Sequence, residues 1–84
     1  MAIERVFWDD EPDGNVEHIA EHGLTVEDVE HILSVFHVET TSEESGLPLV
    51  LGYLEDGRLV AVVFEWVDEE SVLPITAYEV APES

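Results

Sequence analysis

The chain has 84 residues, of which 21 are Asp or Glu and only two are basic, Arg5 and Arg58, giving a formal net charge of −19 at pH 7. Affinity for nucleic acids comes largely from Lys and Arg side chains that displace counterions from phosphates, so this composition argues against direct binding of DNA or RNA. Cysteine is absent, which excludes disulfides and thiolate metal sites. No stretch approaches the roughly 18 apolar residues that a membrane-spanning helix needs.

Length and hydrophobic content predict a single small domain over residues 1–84. Hydrophobic residues make up 45% of the chain, so a packed core surrounded by carboxylates is expected rather than a disordered acidic tail. Residues 1–5 lack the long apolar core of a signal peptide, and we therefore expect a cytoplasmic protein. The acidity is typical of a halophile's protein, but an ordinary acidic protein has the same composition.

The N-terminal half predicts one strand and two helices. Ile3–Trp8 is rich in β-prone side chains and predicts the first strand. The acidic turn that follows is expected to supply carboxylates to the free N–H groups of a helix over residues 15–22. Gly23 is expected to end that helix in the left-handed conformation. Thr25 predicts the N-cap of a second helix over residues 26–35.

The C-terminal half predicts three strands and a weaker fourth. Three apolar runs predict the strands: Leu47–Leu54, Leu59–Val67 and Val72–Val80. Asp56-Gly57, between the first two runs, is a strong signal for a tight hairpin. Pro74 indicates that the last strand lies at a sheet edge or carries a bulge. The weaker strand is expected over Phe36–Thr40, before a polar loop.

The order of the elements predicts an α+β fold, with two N-terminal helices packed on one face of a mostly antiparallel sheet of four to five strands. Two helices cover one face only, yet the central strands are apolar on both of their alternating sets of side chains. The second face is therefore expected to contact a partner, either another copy of the chain or a different protein. Alternatively, loops and the C-terminal residues cover it.

Several segments of the chain resemble the signature of the BrnT toxin family, which belongs to a bacterial type II toxin–antitoxin system and is similar to the RelE class of small ribonucleases. The segments that carry the resemblance are Phe7–Asp9, Asn15–Glu30, Leu49–Tyr53, Gly57–Leu59 and Ile75–Ala77. The His-Gly pair on the predicted helix is the more specific element, and the strand segments are less specific. The resemblance implies a RelE/BrnT-like β-α-α-β-β-β fold and a toxin-like role with an antitoxin-like protein partner.

Departures from the family's pattern argue against its ribonuclease activity here. Leu73 and Tyr78 stand where these toxins have arginines on the last strand, and Glu21 stands where a Lys usually precedes the His-Gly pair. The family's basic C-terminal helix is not expected, because the chain ends at Ser84. Cleavage of this kind needs cations that hold the RNA backbone and stabilise charge developing on the phosphate.

We therefore expect the chain to act through protein–protein contact, as a homodimer or with an antitoxin-like partner. A separate partner is expected to be basic, because complementary charge speeds association. Two alternatives stay open: an active endoribonuclease, and an acidic mimic of nucleic acids that binds a basic protein.

The candidate site residues follow from this interpretation. The expected interface residues are Val63, Glu65, Leu73 and Tyr78. If the chain cleaves RNA, the candidate catalytic residues are His22, Arg58 and Tyr78, with Arg5 as a further cation. His18 and His22 lie one helical turn apart and are the residues that could bind zinc with a nearby carboxylate. No metal is expected, however, because a structural hydrogen bond of His22 at the helix end and a partly exposed His18 explain the pair more simply. No cofactor is expected.

Overall fold

A computed structural model describes residues 3–80 as a five-stranded sheet with two helices. In chain order the elements are β1 (Arg5–Val6), α1 (Asn15–Glu21), α2 (Val26–Val35), β2 (Val38–Thr41), β3 (Pro48–Tyr53), β4 (Leu59–Trp66) and β5 (Ser71–Glu79). The strands lie in the order β1-β5-β4-β3-β2; β1 runs parallel to β5, and the other neighbours are antiparallel. The fold is α+β, with two helices and a five-stranded mixed sheet, and this confirms the predicted fold class.

The start of α2 is fixed by a capping box, as its sequence predicts. The Thr25 hydroxyl accepts a hydrogen bond from the Asp28 N–H at 3.1 Å, and the Asp28 carboxylate accepts one from the Thr25 N–H at 3.1 Å. Two backbone donors that the helix itself leaves unpaired are thereby satisfied. No helix in residues 3–80 is long and apolar enough to cross a membrane.

The two ends of α1 are organised differently from each other. Gly23 follows its C-terminus with φ 79°, the left-handed conformation that the sequence predicts. The prediction that carboxylates cap its N-terminus is wrong, because Gly14 is the N-cap and makes no side-chain cap bond. A Cβ at Gly14 would lie 2.4 Å from the Asp9 carbonyl oxygen, so the position has no room for a capping side chain. That carbonyl instead accepts a hydrogen bond from the Val16 N–H at 3.2 Å.

The first strand is much shorter than its sequence predicts. Only Arg5 and Val6 form the β1 ladder with β5, although the Phe7 N–H still donates to the Val72 carbonyl at 2.9 Å. The chain then leaves the sheet because the Asn15 amide takes over its hydrogen bonds, donating to the Phe7 carbonyl at 3.0 Å. A side chain from the first helix thus ends the strand.

The last strand carries the bulge that Pro74 predicts. Val63 on β4 pairs with Thr76, but its neighbour Phe64 pairs with Pro74, which leaves Ile75 as an extra residue. A proline lacks the N–H that an unbroken ladder would require, and a bulge accommodates that loss. The strand lies between β1 and β4 at its start, so it is not simply an edge strand.

The main core lies between the two helices and one face of the sheet. Its buried residues are Ile19, Leu24, Val29, Ile32, Leu33, Val50, Leu54, Val60, Val62, Phe64, Val72 and Ala77. Gly52 lets α2 approach β3 closely, since a Cβ there would lie 3.2 Å from the Phe36 Cα and 3.3 Å from the Ile32 Cδ1. Both helices therefore pack on this face and leave the other one without a helix.

Candidate binding face

The sheet surface opposite the helices is the candidate functional site, and we call it the open face. The cross-strand register defines its side chains: Val38, Thr40, Leu49, Leu51, Tyr53, Leu59, Ala61, Val63, Glu65, Leu73, Thr76 and Tyr78. Paired residues in an antiparallel ladder project to the same side of the sheet, so the register settles the membership away from the bulge. Thr76 lies beside the bulge and at the rim of the face, because its hydroxyl lies 3.0 Å from the His18 Nε2 of α1.

The centre of the open face is apolar and already packed. Leu49, Ala61 and Val63 are buried, and the loop residue Leu47 and the strand-flanking Val80 pack around them. Part of the cover that the alternative interpretation assigns to loops is therefore present. Four large hydrophobic side chains at the margin of this cluster or beside it stay exposed by 37–55%: Val38, Tyr53, Ile75 and Tyr78. The face thus combines an ordered apolar centre with accessible apolar edges.

Negative charge is largely kept off this face. Three acidic residues lie within the described strands: Glu39, Glu65 and Glu79. Glu39 pairs with Val50 and Glu79 pairs with Val60, so both side chains project to the side of the helices. Glu65, opposite Leu73, is the acidic strand residue on the open face. Interface centres are depleted of charged residues, and this is the surface where the acidic chain matches that description.

The four predicted interface residues share the open face because of the bulge. Strict alternation along β5 would place Leu73 and Tyr78 on opposite sides of the sheet, since an odd number of steps separates them. The extra residue in β5 restores them to one side: Leu73 pairs with Glu65, and Tyr78 pairs with Ala61. Val63, between Ala61 and Glu65 on β4, completes the set.

An open groove crosses one end of the face, beside the loop between β2 and β3. Its volume is about 680 Å³, and its apolar lining is Leu49, Val63, Ile75 and Tyr78. The loop supplies the wall with Glu43, Glu44 and neighbouring hydroxyl groups. Backbone bonds shape the loop: the Ser42 N–H donates to the Leu47 carbonyl, and the Gly46 N–H donates to the Ser42 carbonyl, both at 2.8 Å.

Within residues 3–80, the three candidate catalytic residues do not line one cavity. Arg58 is held at the β3–β4 hairpin, where its Nε donates to the Asp56 carboxylate at 2.8 Å, in a cavity lined also by Glu27 and Asp28. The Arg58 backbone N–H and guanidinium lower the pKa of Asp56 by hydrogen bonding to its ionised carboxylate. Tyr78 lies in the groove on the open face, and His22 is an exposed residue at the C-terminal end of α1.

His18 and His22 contact each other, and His18 also contacts β5 and Glu21. The two rings meet edge to face at 5.4 Å, and the His18 Nε2 lies within hydrogen-bonding distance of the Thr76 hydroxyl, at 3.0 Å. The His18 Nδ1 lies 3.8 Å from the Glu21 carboxylate. Among the described residues, no three side chains of the types that bind metals converge. His18 therefore connects α1 to β5 through Thr76.

Asn15 is a structural residue that reasoning from the sequence missed. Its amide donates to the carbonyls of Phe7 and Pro74, both at 3.0 Å, and its side-chain oxygen accepts from the Asp9 N–H at 2.8 Å. One side chain thus joins β1, α1 and β5 beside the bulge that shapes the open face. The available signal was an Asn directly after Gly14, at the start of the predicted helix, since Asn side chains often bond to neighbouring backbone groups.

No protein-family model, curated protein or solved structure matches this chain.

Proposed function

We propose that this chain is a binding protein without catalytic activity, and that its open face contacts a protein partner. The observation that supports this most is the contrast between an apolar, nearly carboxylate-free sheet face and a net charge of −19. Burying that face removes apolar surface from water at about 25 cal/mol per Å² and leaves most of the chain's carboxylates in water; Glu65 on the face and Glu43 and Glu44 at one end of it are the exceptions. The open face is therefore the surface at which binding is least opposed.

The proposed partner is a separate protein of opposite charge rather than a second copy. Two copies would bring equal negative charges together, which opposes association at ordinary ionic strength. A basic partner would instead be attracted from a distance and would neutralise part of that charge on contact. By its sequence resemblance, we propose that the chain is a divergent, acidic relative of BrnT toxins with a RelE/BrnT-like fold, acting in the cytoplasm on an antitoxin-like partner.

The surroundings of the two arginines support the absence of ribonuclease activity. Arg58 is paired with Asp56, and Arg5 lines a cavity with Asp68, Glu69 and Glu70. A phosphate approaching either guanidinium would meet carboxylates first, and transition-state stabilisation depends on cations aimed at the developing charge. We therefore propose that the purified chain neither binds nor cleaves RNA.

The test is a selection of peptides from a displayed random library on the immobilised protein, followed by affinity measurements with the selected peptides. Tyr78→Ala removes an exposed ring from the open face without changing the charge, and Val35→Ala is its matched control at the end of α2. Both positions are exposed hydrophobic ones, at 37% and 49%. We expect Tyr78→Ala to weaken binding at least about tenfold and Val35→Ala to leave it within about twofold. Equal affinities for the two variants would contradict the proposed function.

A further inference from the structure

We propose that the groove on the open face binds a Lys or Arg side chain, carried by an apolar segment of a basic partner protein. This inference rests on the proposed function, because it names the chemistry that the open face recognises. The groove is suited to an amphipathic side chain, since its floor and its wall have different character. The apolar floor matches the hydrocarbon stem of a Lys or Arg side chain, and the acidic wall matches its charged group.

The floor of the groove fits the hydrocarbon stem. Leu49 and Val63 are buried beneath it, while Ile75 and Tyr78 stand exposed at its side. Lys and Arg bury their methylene chains along such surfaces and keep the charged group at a polar edge. The volume of about 680 Å³ falls within the roughly 300–1,000 Å³ typical of pockets that enclose a small ligand. The groove therefore has room for the cationic side chain and for an apolar neighbour.

The wall of the groove fits the charged group. Glu43 and Glu44 both line it, and neither makes an ion pair with another described residue, in contrast to Asp56 with Arg58. The hydroxyl of Ser42 stands next to them as a further acceptor. A guanidinium carries five N–H donors and an ammonium three, and neither accepts hydrogen bonds, so a wall of acceptors is complementary to both.

The composition of the chain argues against a second copy as the occupant. It has no Lys, and its two cations are Arg5 and Arg58. Arg58 is already bound to Asp56, and Arg5 lies on β1, at the edge of the sheet remote from the β2–β3 loop. A homodimer through the open face would leave Glu43 and Glu44 of both copies facing each other's negative charge. A basic partner satisfies the same carboxylates.

The experiment uses the peptides selected on the wild-type protein and two matched double variants. Glu43→Gln with Glu44→Gln neutralises the wall of the groove. Glu69→Gln with Glu70→Gln removes the same charge from an exposed turn that does not line the groove. Each selected peptide is also synthesised with its Lys or Arg replaced by Met, which keeps an unbranched apolar stem and removes the charge.

We expect the selected peptides to carry a Lys or Arg beside apolar residues. Neutralising Glu43 and Glu44 should weaken binding about three- to tenfold, while the control pair should change it less than about twofold. The Met peptide should bind the wild-type protein about as weakly as it binds the variant lacking Glu43 and Glu44, because the two changes remove the same interaction.

Two results would overturn the inference and leave the proposed function intact. Peptides that depend on Tyr78 but are indifferent to Glu43 and Glu44 would show an apolar contact alone. Equal losses in the two double variants would show general attraction to an acidic chain. Peptides indifferent to Tyr78→Ala, or a selection that yields none dependent on that residue, would contradict the proposed function and the inference together.

Discussion

Salt should stabilise this protein strongly, because its folded form confines a charge of −19 within a radius of gyration of 12.0 Å. At 0.1 M salt the Debye length is about 10 Å, so most carboxylates repel one another, whereas at 1 M it is about 3 Å. The unfolded chain, with a radius of gyration of about 28 Å, spreads the same charge over a much larger volume. Repulsion therefore opposes folding most at low salt.

The size of the effect follows from treating each state as a uniformly charged sphere. Raising NaCl from 0.1 to 1 M lowers the self-repulsion of the folded sphere by about 11 kcal/mol and that of the unfolded chain by about 3 kcal/mol. The difference of about 8 kcal/mol is an upper bound, since counterions gather around the folded chain already at low salt. If about a quarter of this difference remains, about 2 kcal/mol, the melting temperature followed by circular dichroism rises by about 10 °C, and we expect a rise of at least that size.

Charge variants separate this repulsion from other effects of salt. Among the exposed carboxylates that make no side-chain hydrogen bond within the described residues, we choose four: Glu4, Glu11, Glu69 and Glu79. Changing all four to Lys lowers the charge to about −11, and because self-repulsion scales with the square of the charge, the salt dependence should fall to about one third. The four Gln changes should leave about 60% of it. A flat or falling melting temperature, or the same salt dependence in all three proteins, would refute the reasoning.

Three smaller perturbations test individual contacts. Thr25→Ala should lower the free energy of unfolding in urea by about 1 kcal/mol and Thr25→Ser by much less, since only the first loses the hydroxyl that caps α2; equal losses would contradict the capping role. Asn15→Ala removes three hydrogen bonds and should cost about 2 kcal/mol, whereas a loss below about 0.5 kcal/mol would show that water replaces them. The Glu70 N–H, which donates to the Asp68 carboxylate, is the main cause that lowers the pKa of Asp68 below its ordinary value of 3.8. The ionised form therefore stabilises the turn above pH 3.8, and this contribution is lost as the pH falls through the lower folded-state pKa. Asp68→Asn should accordingly lower the urea midpoint at pH 6 and cease to differ from wild type in strong acid; a difference that grows on acidification would contradict this.

Local signals in the sequence predicted the parts of the fold that depend on near neighbours. The bounds of α2 follow from Thr25 and from helical spacing, and Gly23 and Gly57 both have the positive φ that their turns require. Each of these features is decided within a few residues of the chain. The length of β1 was not predictable in this way, because it is ended by Asn15, a residue of the next element, and because its parallel partner β5 lies more than sixty positions further along.

The open face was predicted only in part, for a similar reason. The apolar character of both sides of β4 indicated that a second face exists, and its centre proved to be a small packed cluster. The bulge at Ile75 decides which residues of β5 belong to that face. A Pro in a strand predicts a bulge, but it does not say how the residues after the bulge pair with the neighbouring strand. The groove could not be predicted from the sequence, because it forms only where the loop with Glu43 and Glu44 lies next to β5 in the folded chain.

The central claim, that this chain binds a protein through its open face and does not bind nucleic acid, is tested most directly by an NMR titration of the labelled protein. One arm adds a selected basic peptide, and the other adds a single-stranded RNA at about 0.15 M salt. We predict saturable shifts centred on Leu49, Val63 and Tyr78 with the peptide, and none with the RNA. Shifts centred on the helices, or saturable shifts with the RNA, would contradict the account.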